Sequence, residues 1–369
     1  MVSSREDVFE ALARVEDPDL HKDLVTLGMV KAVEVNGDLA RITIELTTPA
    51  CPMKERIRAD IVREVAAVAL ARGRRSPNVA VEFTAQVRSA TTSRGGSPLP
   101  GVAHVVAVGA GKGGVGKSSV SVNLAVGLAR LGAKVGLLDG DIYGPSLPTM
   151  LGLESLQGAV SGDKLVPFEV HGIKAITIGK LVDPDKALIW RGPMAHGAFK
   201  QLATQTLWGT LDYLIVDLPP GTGDVPLTLA QLLPLSGAVI VCTPQRVAQD
   251  DARRAVRMFQ QLNVEVLGVV ENMSHFVGDD GKEYDLFGKG GAQTMAASME
   301  LPFLGSIPIS MELRHNADSG TPLANWSGSP VLAQALDGVA TRVASEISIR
   351  NARGALVQPT LSVVGAQKG

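Results

Sequence analysis

The sequence of 369 residues contains only two cysteines, Cys51 and Cys242, and neither belongs to a C-x-x-C pair. Two thiols cannot build a disulfide framework, and one chain alone cannot supply the four thiolates of a zinc or iron–sulfur site. An excess of one charge is also missing, since 35 Lys and Arg oppose 37 Asp and Glu. This balance removes the electrostatic argument for a nucleic-acid partner.

Long apolar runs are missing as well. The longest, at 101–110 and 237–242, are far shorter than the ~20 residues that span a bilayer. The N-terminal residues 1–20 carry acids among their apolar residues and lack the continuous apolar stretch of a signal peptide. We therefore expect no membrane partner and a cytoplasmic location.

The first part of the chain, residues 1–87, predicts a small α/β domain. Ser4 can cap a first helix, and Asn36-Gly37-Asp38 has the composition of a hairpin turn between two strands. A helix at 53–72 and a strand at 79–87 complete the predicted domain.

The rest of the chain predicts a larger α/β domain at 102–350, joined by a linker at 88–101 that is rich in Ser, Thr, Gly and Pro. Short apolar strands followed by helices indicate a mostly parallel sheet covered by helices on both faces. Residues 351–369 are predicted to be a flexible tail. The expected strands lie at 102–108, 134–138, 173–178, 213–216, 238–242 and 264–270, and the expected helices at 117–131, 194–207, 225–233, 247–262 and 330–349.

A glycine-rich segment between the first strand and first helix of this domain contains G-x-x-x-x-G-K-S, from Gly111 to Ser118. Glycines let backbone N–H groups surround phosphate oxygens, Lys117 can reach the β- and γ-phosphates, and Ser118 can ligate magnesium. The strand before and the helix after argue against a chance match. The predicted nucleotide-binding residues of this loop are Gly111, Lys112, Gly113, Gly114, Val115, Gly116, Lys117, Ser118 and Ser119.

Acidic residues follow two predicted strands at the sheet edge where ligands bind in α/β proteins. Asp217 ends the apolar run Tyr213–Val216 in a Walker B pattern and is predicted to hold magnesium together with Ser118. Asp139 lies close to the end of another strand and could be structural. Asp224, after a glycine-rich turn, is expected to cap a helix.

The identity of the nucleotide base is indicated by Glu271-Asn272-Met273-Ser274, which follows the strand at 264–270. The segment has neither the Lys nor the Asp of a guanine-reading N-K-x-D signature. Asn272 can offer its amide to adenine, which favours ATP over GTP, or it can be an ordinary turn asparagine.

The early lysine of the loop, Lys112, makes the segment resemble the deviant Walker A class, which reads K-G-G-x-G-K-[ST]. The resemblance implies that Lys112 reaches the partner's phosphates across a nucleotide sandwich dimer, in a role similar to that of an arginine finger. From the residues alone, Lys112 could instead be a solvated loop charge. The resemblance also makes Asp141 the switch residue that orients or deprotonates the attacking water, so the predicted catalytic residues are Lys112, Lys117 and Asp141.

The motifs together resemble the Mrp family of ATPases that carry iron–sulfur clusters, and residues 1–87 resemble the iron–sulfur assembly domain often fused to them. The resemblance implies a P-loop NTPase fold, ATP hydrolysis with magnesium, a homodimer, and delivery of clusters to apoproteins alongside other iron–sulfur assembly factors. The matching stretches are GKGGVGKSS at 111–119, LLDGDIYGPSLP at 137–148, WRGPM at 190–194, DLPPGTGD at 217–224, TPQ at 243–245, ENMSHF at 271–276, FGKGG at 287–291 and GSIPIS at 305–310.

The chain departs from the family at one place. Many members follow E-N-M-S with C-x-x-C, which gives a dimer four thiolates for a bridging cluster, whereas this sequence has Gly278 and Gly281 there. Plastid relatives of the high-chlorophyll-fluorescence type share both the assembly domain and this loss. Cys51, just before a predicted helix, is the candidate cluster ligand, although it could be a partly buried structural cysteine. Cys242 is expected in the core.

Two other functions stay open at this point. The nucleotide machinery also suits a positioning ATPase of the MinD or ParA kind, although neither a basic C-terminal membrane helix nor a basic DNA surface is present in the sequence. The missing C-x-x-C also allows an ATP-gated adaptor that holds no cluster itself.

Overall fold

The computed structural model describes residues 4–51, 53–85, 98–141, 144–180, 192–278 and 280–357. By their internal contacts they divide into two compact units. The first takes residues from Met1–Thr47, Met53–Ala90 and Ser345–Gly369, and the second from Thr48–Pro52 and Thr91–Ala344. Among the described residues, none of the helices combines the length and the apolar character that a membrane span requires.

The first unit contains a three-stranded sheet in the order β3-β4-β5, with an antiparallel hairpin followed by a parallel strand. The predicted turn at Asn36-Gly37-Asp38 is confirmed, and Gly37 has the positive φ of +57° that such a turn requires. Ser4 caps the first helix in a reciprocal capping box with Asp7. The elements are α1 (Arg5–Leu12), β1 (Glu16–Asp17), β2 (Lys22–Asp23), β3 (Val30–Asn36), β4 (Leu39–Leu46), α2 (Lys54–Ala71) and β5 (Asn78–Ala85).

The second unit is built around a sheet whose pairing order is β10-β11-β7-β12-β6-β13-β14-β15, with β16 also paired to β14. The neighbours from β11 to β14, and β16 on β14, are parallel, whereas β10 and β15 are short antiparallel additions. The strands are β6 (Val102–Gly109), β7 (Val135–Asp139), β8 (Ala159–Ser161), β9 (Lys164–Val166), β10 (Phe168–Val170), β11 (Ile173–Ile176), β12 (Leu211–Asp217), β13 (Gly237–Cys242), β14 (Val266–Val277), β15 (Glu283–Tyr284) and β16 (Phe303–Ile309).

Helices follow most of the parallel strands, as the alternating pattern predicted, and apolar side chains of both element types form the core. The helices are α3 (Lys117–Arg130), α4 (Leu147–Met150), α5 (Gly192–Gln205), α6 (Asp224–Gln231), α7 (Arg246–Gln261), α8 (Gly291–Ser298), α9 (Met311–Asp318) and α10 (Pro330–Val357), with 3-10 turns at Ile178–Lys180 and Pro322–Trp326. Where a helix follows its strand directly, as α3 follows β6 and α7 follows β13, the strand end and the helix start lie at the carboxyl edge of the sheet.

Three expectations need correction. The strand expected to end at residue 270 continues as β14 to Val277, because its far end pairs with both β15 and β16. The tail expected from residue 351 is helical as far as Val357, and residues 358–369 lie outside the described chain. Asp224 is the first residue of α6, whose N-cap is Gly223, so Asp224 does not itself cap the helix.

Two backbone segments of the second unit come close together at Gly320 and Gly152. Gly320 has a φ of +66°, and a Cβ there would lie 2.3 Å from the Cα of Gly152. We expect Gly320→Ala to lower the free energy of unfolding by about 2–4 kcal/mol, since backbone strain and overpacking add. Urea denaturation measures this. Gly338→Ala, in α10 with open space around it, is the control and should be neutral or stabilising. A similar effect of both substitutions would contradict the prediction.

Candidate functional site

The phosphate loop lies where β6 ends and α3 begins, and three of its glycines are required by geometry. Gly114 and Gly116 have φ values of +80° and +79°, in the left-handed region that favours glycine. A Cβ on Gly111 would lie 2.1 Å from the Asp251 carbonyl oxygen, and one on Gly116 would lie 2.2 Å from the Asn272 amide nitrogen. The loop therefore has a backbone that can approach phosphate closely and that other residues could not adopt.

A buried polar cluster follows the loop. The ammonium of Lys117 donates to Oδ1 of Asp217 at 2.8 Å, and the hydroxyl of Ser118 donates to Oδ2 at 2.6 Å. Ser121, one turn further along α3, places its hydroxyl 2.6 Å from Oδ1. Asp217 is fully buried and Lys117 nearly so. The structure thus brings together the predicted Walker A lysine, the predicted magnesium serine and the Walker B acid.

A second acid lies beside this cluster, because Asp139 on β7 is the register partner of Asp217 on β12. Asp139 accepts from the Thr177 hydroxyl at 2.8 Å and from the Asp141 backbone N–H at 3.1 Å. Burial, and then the negative charge of Asp217, raise the pKa of Asp139 to about 7. These contacts agree with the structural role that the sequence allowed for Asp139, and its carboxyl is partly protonated near neutral pH.

The two residues predicted to act on the γ-phosphate are more accessible. Lys112 and Asp141 are both partly exposed, at the edge of the sheet where the phosphate loop lies. The Asp141 backbone is held by Asp139, which fixes the start of the segment that follows β7. Residues 142 and 143 lie outside the described chain.

Asn272 is not a turn residue, because it lies within β14 and is 4% exposed. Its amide donates to the Val115 carbonyl oxygen at 2.8 Å and so joins β14 to the phosphate loop. The following residue, Met273, has a φ of +56°, an unfavourable backbone conformation for a non-glycine residue. The strand is thus distorted where the base-reading residue was predicted.

Thiol placement differs between the two cysteines. Cys242 is fully buried at the end of β13, as expected, and burial raises the pKa of its thiol to about 12. Cys51 is partly buried and precedes α2 by three residues, and its backbone N–H donates to the Thr48 carbonyl oxygen at 3.3 Å. Among the described residues, no group of three or more His, Cys, Asp or Glu side chains could hold a metal ion.

Gly278 and Gly281, at the positions where the resemblance leads one to expect C-x-x-C, belong to a closed hairpin between β14 and β15, of which residue 279 lies outside the described chain. The Gly278 N–H donates to the Lys282 carbonyl oxygen at 2.9 Å, and the Tyr284 hydroxyl donates to Asp280 at 3.1 Å. A Cβ at Gly278 would lie 2.8 Å from that carboxylate and 2.9 Å from the Tyr284 ring, and Gly281 has a φ of +74°. The glycines therefore fit this turn, which does not present a thiol pair.

Three polar side chains near the site were not predicted from the sequence: Ser121, Thr177 and Glu271. Ser121 lies four residues after Lys117, so helical spacing could have placed it on the same face. Thr177 reaches Asp139 from a neighbouring strand, and Glu271 accepts backbone N–H groups from residues near α8. No local pattern signals either of these contacts.

Comparison with family models gives two matches. Residues 101–344 match a model described as "NUBPL iron-transfer P-loop NTPase", and residues 5–74 match one described as "Iron-sulfur cluster assembly protein". The matched segments separate at the stretch that the composition predicted to be a linker.

Individual proteins show the same similarity. The iron–sulfur cluster carrier protein of Deinococcus radiodurans is 50% identical over 345 residues, 93% of this chain and 95% of the relative. The chloroplastic Fe-S cluster assembly factor HCF101 of Arabidopsis thaliana is 43% identical over 87% of this chain and 60% of its own. A nucleotide-binding protein of Archaeoglobus fulgidus, solved in complex with ADP, superposes with a TM-score of 0.55 at 40% identity, over 61% of this chain and 89% of that one.

The raised pKa of Asp139 predicts a specific pH dependence of stability. Because its folded-state pKa of about 7 exceeds the unfolded value of 3.8, the folded state binds the extra proton between these values, and stability falls as pH rises through this window. Asparagine cannot titrate. Between pH ~4 and ~7 the free energy of unfolding of Asp139→Asn should therefore decrease by roughly 2–4 kcal/mol less than that of the wild type. Urea denaturation across this range measures the slopes.

The control for this experiment is Asp212→Asn, at a partly exposed position on the same strand as Asp217. It should show the wild-type slope. Parallel stability curves for wild type and Asp139→Asn would disprove the assignment of a raised pKa to Asp139.

Proposed function

The chain belongs to the Mrp-type family of P-loop NTPases that includes the iron–sulfur cluster carriers, and from this membership we propose that it hydrolyses ATP and delivers iron–sulfur clusters to apoproteins. The buried contact of Lys117 and Ser118 with Asp217 is the observation that supports the nucleotide-binding part of this proposal. We assign nucleotide hydrolysis to residues 102–350 and the handling of clusters to residues 1–87.

Phosphate binding is supported by the loop and the lysine together. The left-handed glycines allow backbone N–H groups to face phosphate oxygens, and the N-terminal end of α3 favours negative charge. In the structure Lys117 is neutralised by Asp217. When phosphate is bound, the Lys117 ammonium would exchange this contact for the β- and γ-phosphate oxygens, while Ser121 remains as a donor to Asp217.

The donor set at this point also suits magnesium. Ser118 and Asp217 provide hard oxygen ligands that already converge within 2.6 Å of each other. These two side chains would hold the ion, directly or through water. When bound, magnesium would neutralise negative charge on the terminal phosphates.

Hydrolysis needs an oriented water and further positive charge. We assign the first task to Asp141, whose backbone is anchored on Asp139 at the sheet edge, and the second to Lys112. In the proposed homodimer Lys112 acts on the partner's nucleotide, where it would stabilise charge on the transferred phosphoryl group. Asn272 is assigned to the adenine edge, since its side chain lies beside the phosphate loop, where its amide donates to the Val115 carbonyl oxygen.

The ligands that we propose for the iron–sulfur cluster differ from the C-x-x-C pair of the family pattern. Because the hairpin at Gly278 and Gly281 provides no thiols, we place the candidate cluster contact at Cys51. A homodimer would provide two Cys51 thiolates, so two further ligands must come from a client or another assembly factor. Cys51 then serves in transfer between proteins rather than in storage.

A second candidate function is favoured by the closed hairpin. An ATP-gated adaptor could dock the small domain on clients and other assembly factors without holding a cluster. Iron binding separates this function from the carrier function.

Substitutions in the nucleotide machinery give the first test. Lys117→Ala should abolish ATP binding. Lys112→Ala should retain ATP binding and lose hydrolysis. Asp141→Ala should bind ATP, accumulate as the dimer and hydrolyse ATP at least about 100-fold more slowly than wild type. Steady-state phosphate release, equilibrium ATP binding and light scattering measure these properties.

Lys134→Ala serves as the control, since this exposed lysine lies at the opposite edge of the sheet, just before β7. It should behave as wild type. Normal hydrolysis by Asp141→Ala would refute the switch assignment, and normal hydrolysis by Lys112→Ala would refute the action in trans.

Iron binding gives the second test. We expect wild type, reconstituted anaerobically with iron and sulfide, to bind iron with the absorbance of a cluster, and Cys51→Ser to lose most of it. Cys242→Ala is the matched control, because it removes the only other cysteine of the sequence from a buried site. If wild type and Cys51→Ser bound equal iron, the Cys51 assignment would be wrong. Absence of iron from the wild type would favour the adaptor.

A further inference from the structure

A buried pair of hydroxyl groups in the second unit lies outside the nucleotide machinery. The Oγ1 atom of Thr48 and the phenol oxygen of Tyr213 are 2.5 Å apart, and the two residues are 2% and 0% exposed. A hydroxyl is costly to bury without a hydrogen-bonding partner, and here each hydroxyl compensates the other. The pair therefore fixes two residues that are far apart in the sequence at one buried point.

On one side of the pair is a short turn, residues 48–51. The Oγ1 atom of Thr48 accepts the backbone N–H of Ala50 at 3.1 Å, and its carbonyl oxygen accepts that of Cys51 at 3.3 Å. Ala50 is buried and Cys51 is partly buried. Thr48–Pro52 belongs to the second unit, although the residues before and after it belong to the first. The turn that carries the Cys51 thiol is thus a part of the second unit.

On the other side of the pair, Tyr213 is held within the central sheet. It is the register partner of His104 on β6, and the centroids of the two rings are 5.8 Å apart. Burial raises the pKa of the Tyr213 phenol, and the negative charges of Asp212 and of the Cys51 thiolate raise it further. The phenol therefore stays protonated, and the Cys51 thiol lies close enough to Tyr213 for its charge to act there.

The strand that carries Tyr213 also carries the Walker B acid. Tyr213 precedes Asp217 by four residues on β12, so the two side chains are on the same face of the strand, roughly 13 Å apart along it. Asp217 contacts Lys117 and Ser118, and Tyr213 contacts Thr48. One strand thus supports both the nucleotide site and the turn that carries Cys51.

We propose that Tyr213 is a positioning residue for Cys51, because its hydroxyl anchors the 48–51 turn through Thr48 and so limits the exposure of the thiol. When the anchor is lost, a buried hydroxyl is left without its partner, which favours release of the turn. The inference rests on the proposed function of Cys51 as the cluster contact. Opening of the anchor then determines how readily the cluster of a client reaches the thiol.

The test measures how fast N-ethylmaleimide alkylates each of the two cysteines in the metal-free full chain. Tyr213→Phe removes the phenol oxygen and keeps the ring. We expect the alkylation rate of Cys51 to rise about fivefold or more in this variant. Cys242 is fully buried and should stay as unreactive as in the wild type. Mass spectrometry of the two cysteine-containing peptides gives both rates from one sample.

Two substitutions at Thr48 test the other half of the pair. Thr48→Val keeps the shape of the side chain without the hydroxyl and should raise the alkylation rate of Cys51 as Tyr213→Phe does. Thr48→Ser keeps the hydroxyl and should retain the wild-type rate. Thr206→Val is the matched control, since it removes another buried hydroxyl of the second unit, which donates to the Leu202 carbonyl oxygen at 2.6 Å. It should leave the rate unchanged.

Several results would overturn the inference. An unchanged alkylation rate of Cys51 in Tyr213→Phe would do so while leaving the proposed function intact. A parallel rise in the rate of Cys242 would show that Tyr213 only maintains the fold, and equal rates in Thr48→Ser and Thr48→Val would show that the hydroxyl does not hold the turn. Equal iron in wild type and Cys51→Ser would instead refute the proposed cluster contact, and with it the role of the anchor, whatever the alkylation rates.

Discussion

The carboxylate of Asp217 is the group on which the nucleotide site depends. Once it is removed from water, its charge must be compensated, and an ammonium with two hydroxyls from α3 does this. The end of β12 and the first turn of α3 are thereby held together by one side chain. Burial, together with the negative charge of Asp217, favours the neutral form of Asp139, which lets two acids share one sheet edge without full repulsion.

Much of this arrangement could be predicted because its signals are local. The phosphate loop requires glycine at 114 and 116, and the spacing of these glycines is visible in the sequence itself. Strands such as β6 and β12 are apolar along their length because both faces are buried, so each stands out in the sequence as a short continuous apolar run. The hairpin around Gly37 follows from two or three adjacent residues. Local chemistry thus sufficed for the fold class and the arrangement of the phosphate site.

The remainder depends on contacts between residues far apart in sequence. Nothing local extends β14 beyond residue 270, since its outer part is polar and is held there by β15 and β16. Glu271 looks like an exposed acid until the N–H groups of residues 290 and 292 are placed around it. Asn272 was recognised as a candidate, but its burial and its contact with Val115 required the fold.

The closed hairpin at Gly278 has a consequence for how the cysteine-bearing and cysteine-free forms of this fold can interconvert. A side chain at 278 would require Asp280 or Tyr284 to shift, and residue 281 needs a backbone that cysteine adopts poorly. A bridging-cluster site at this tip would therefore need a different turn in addition to the two cysteines.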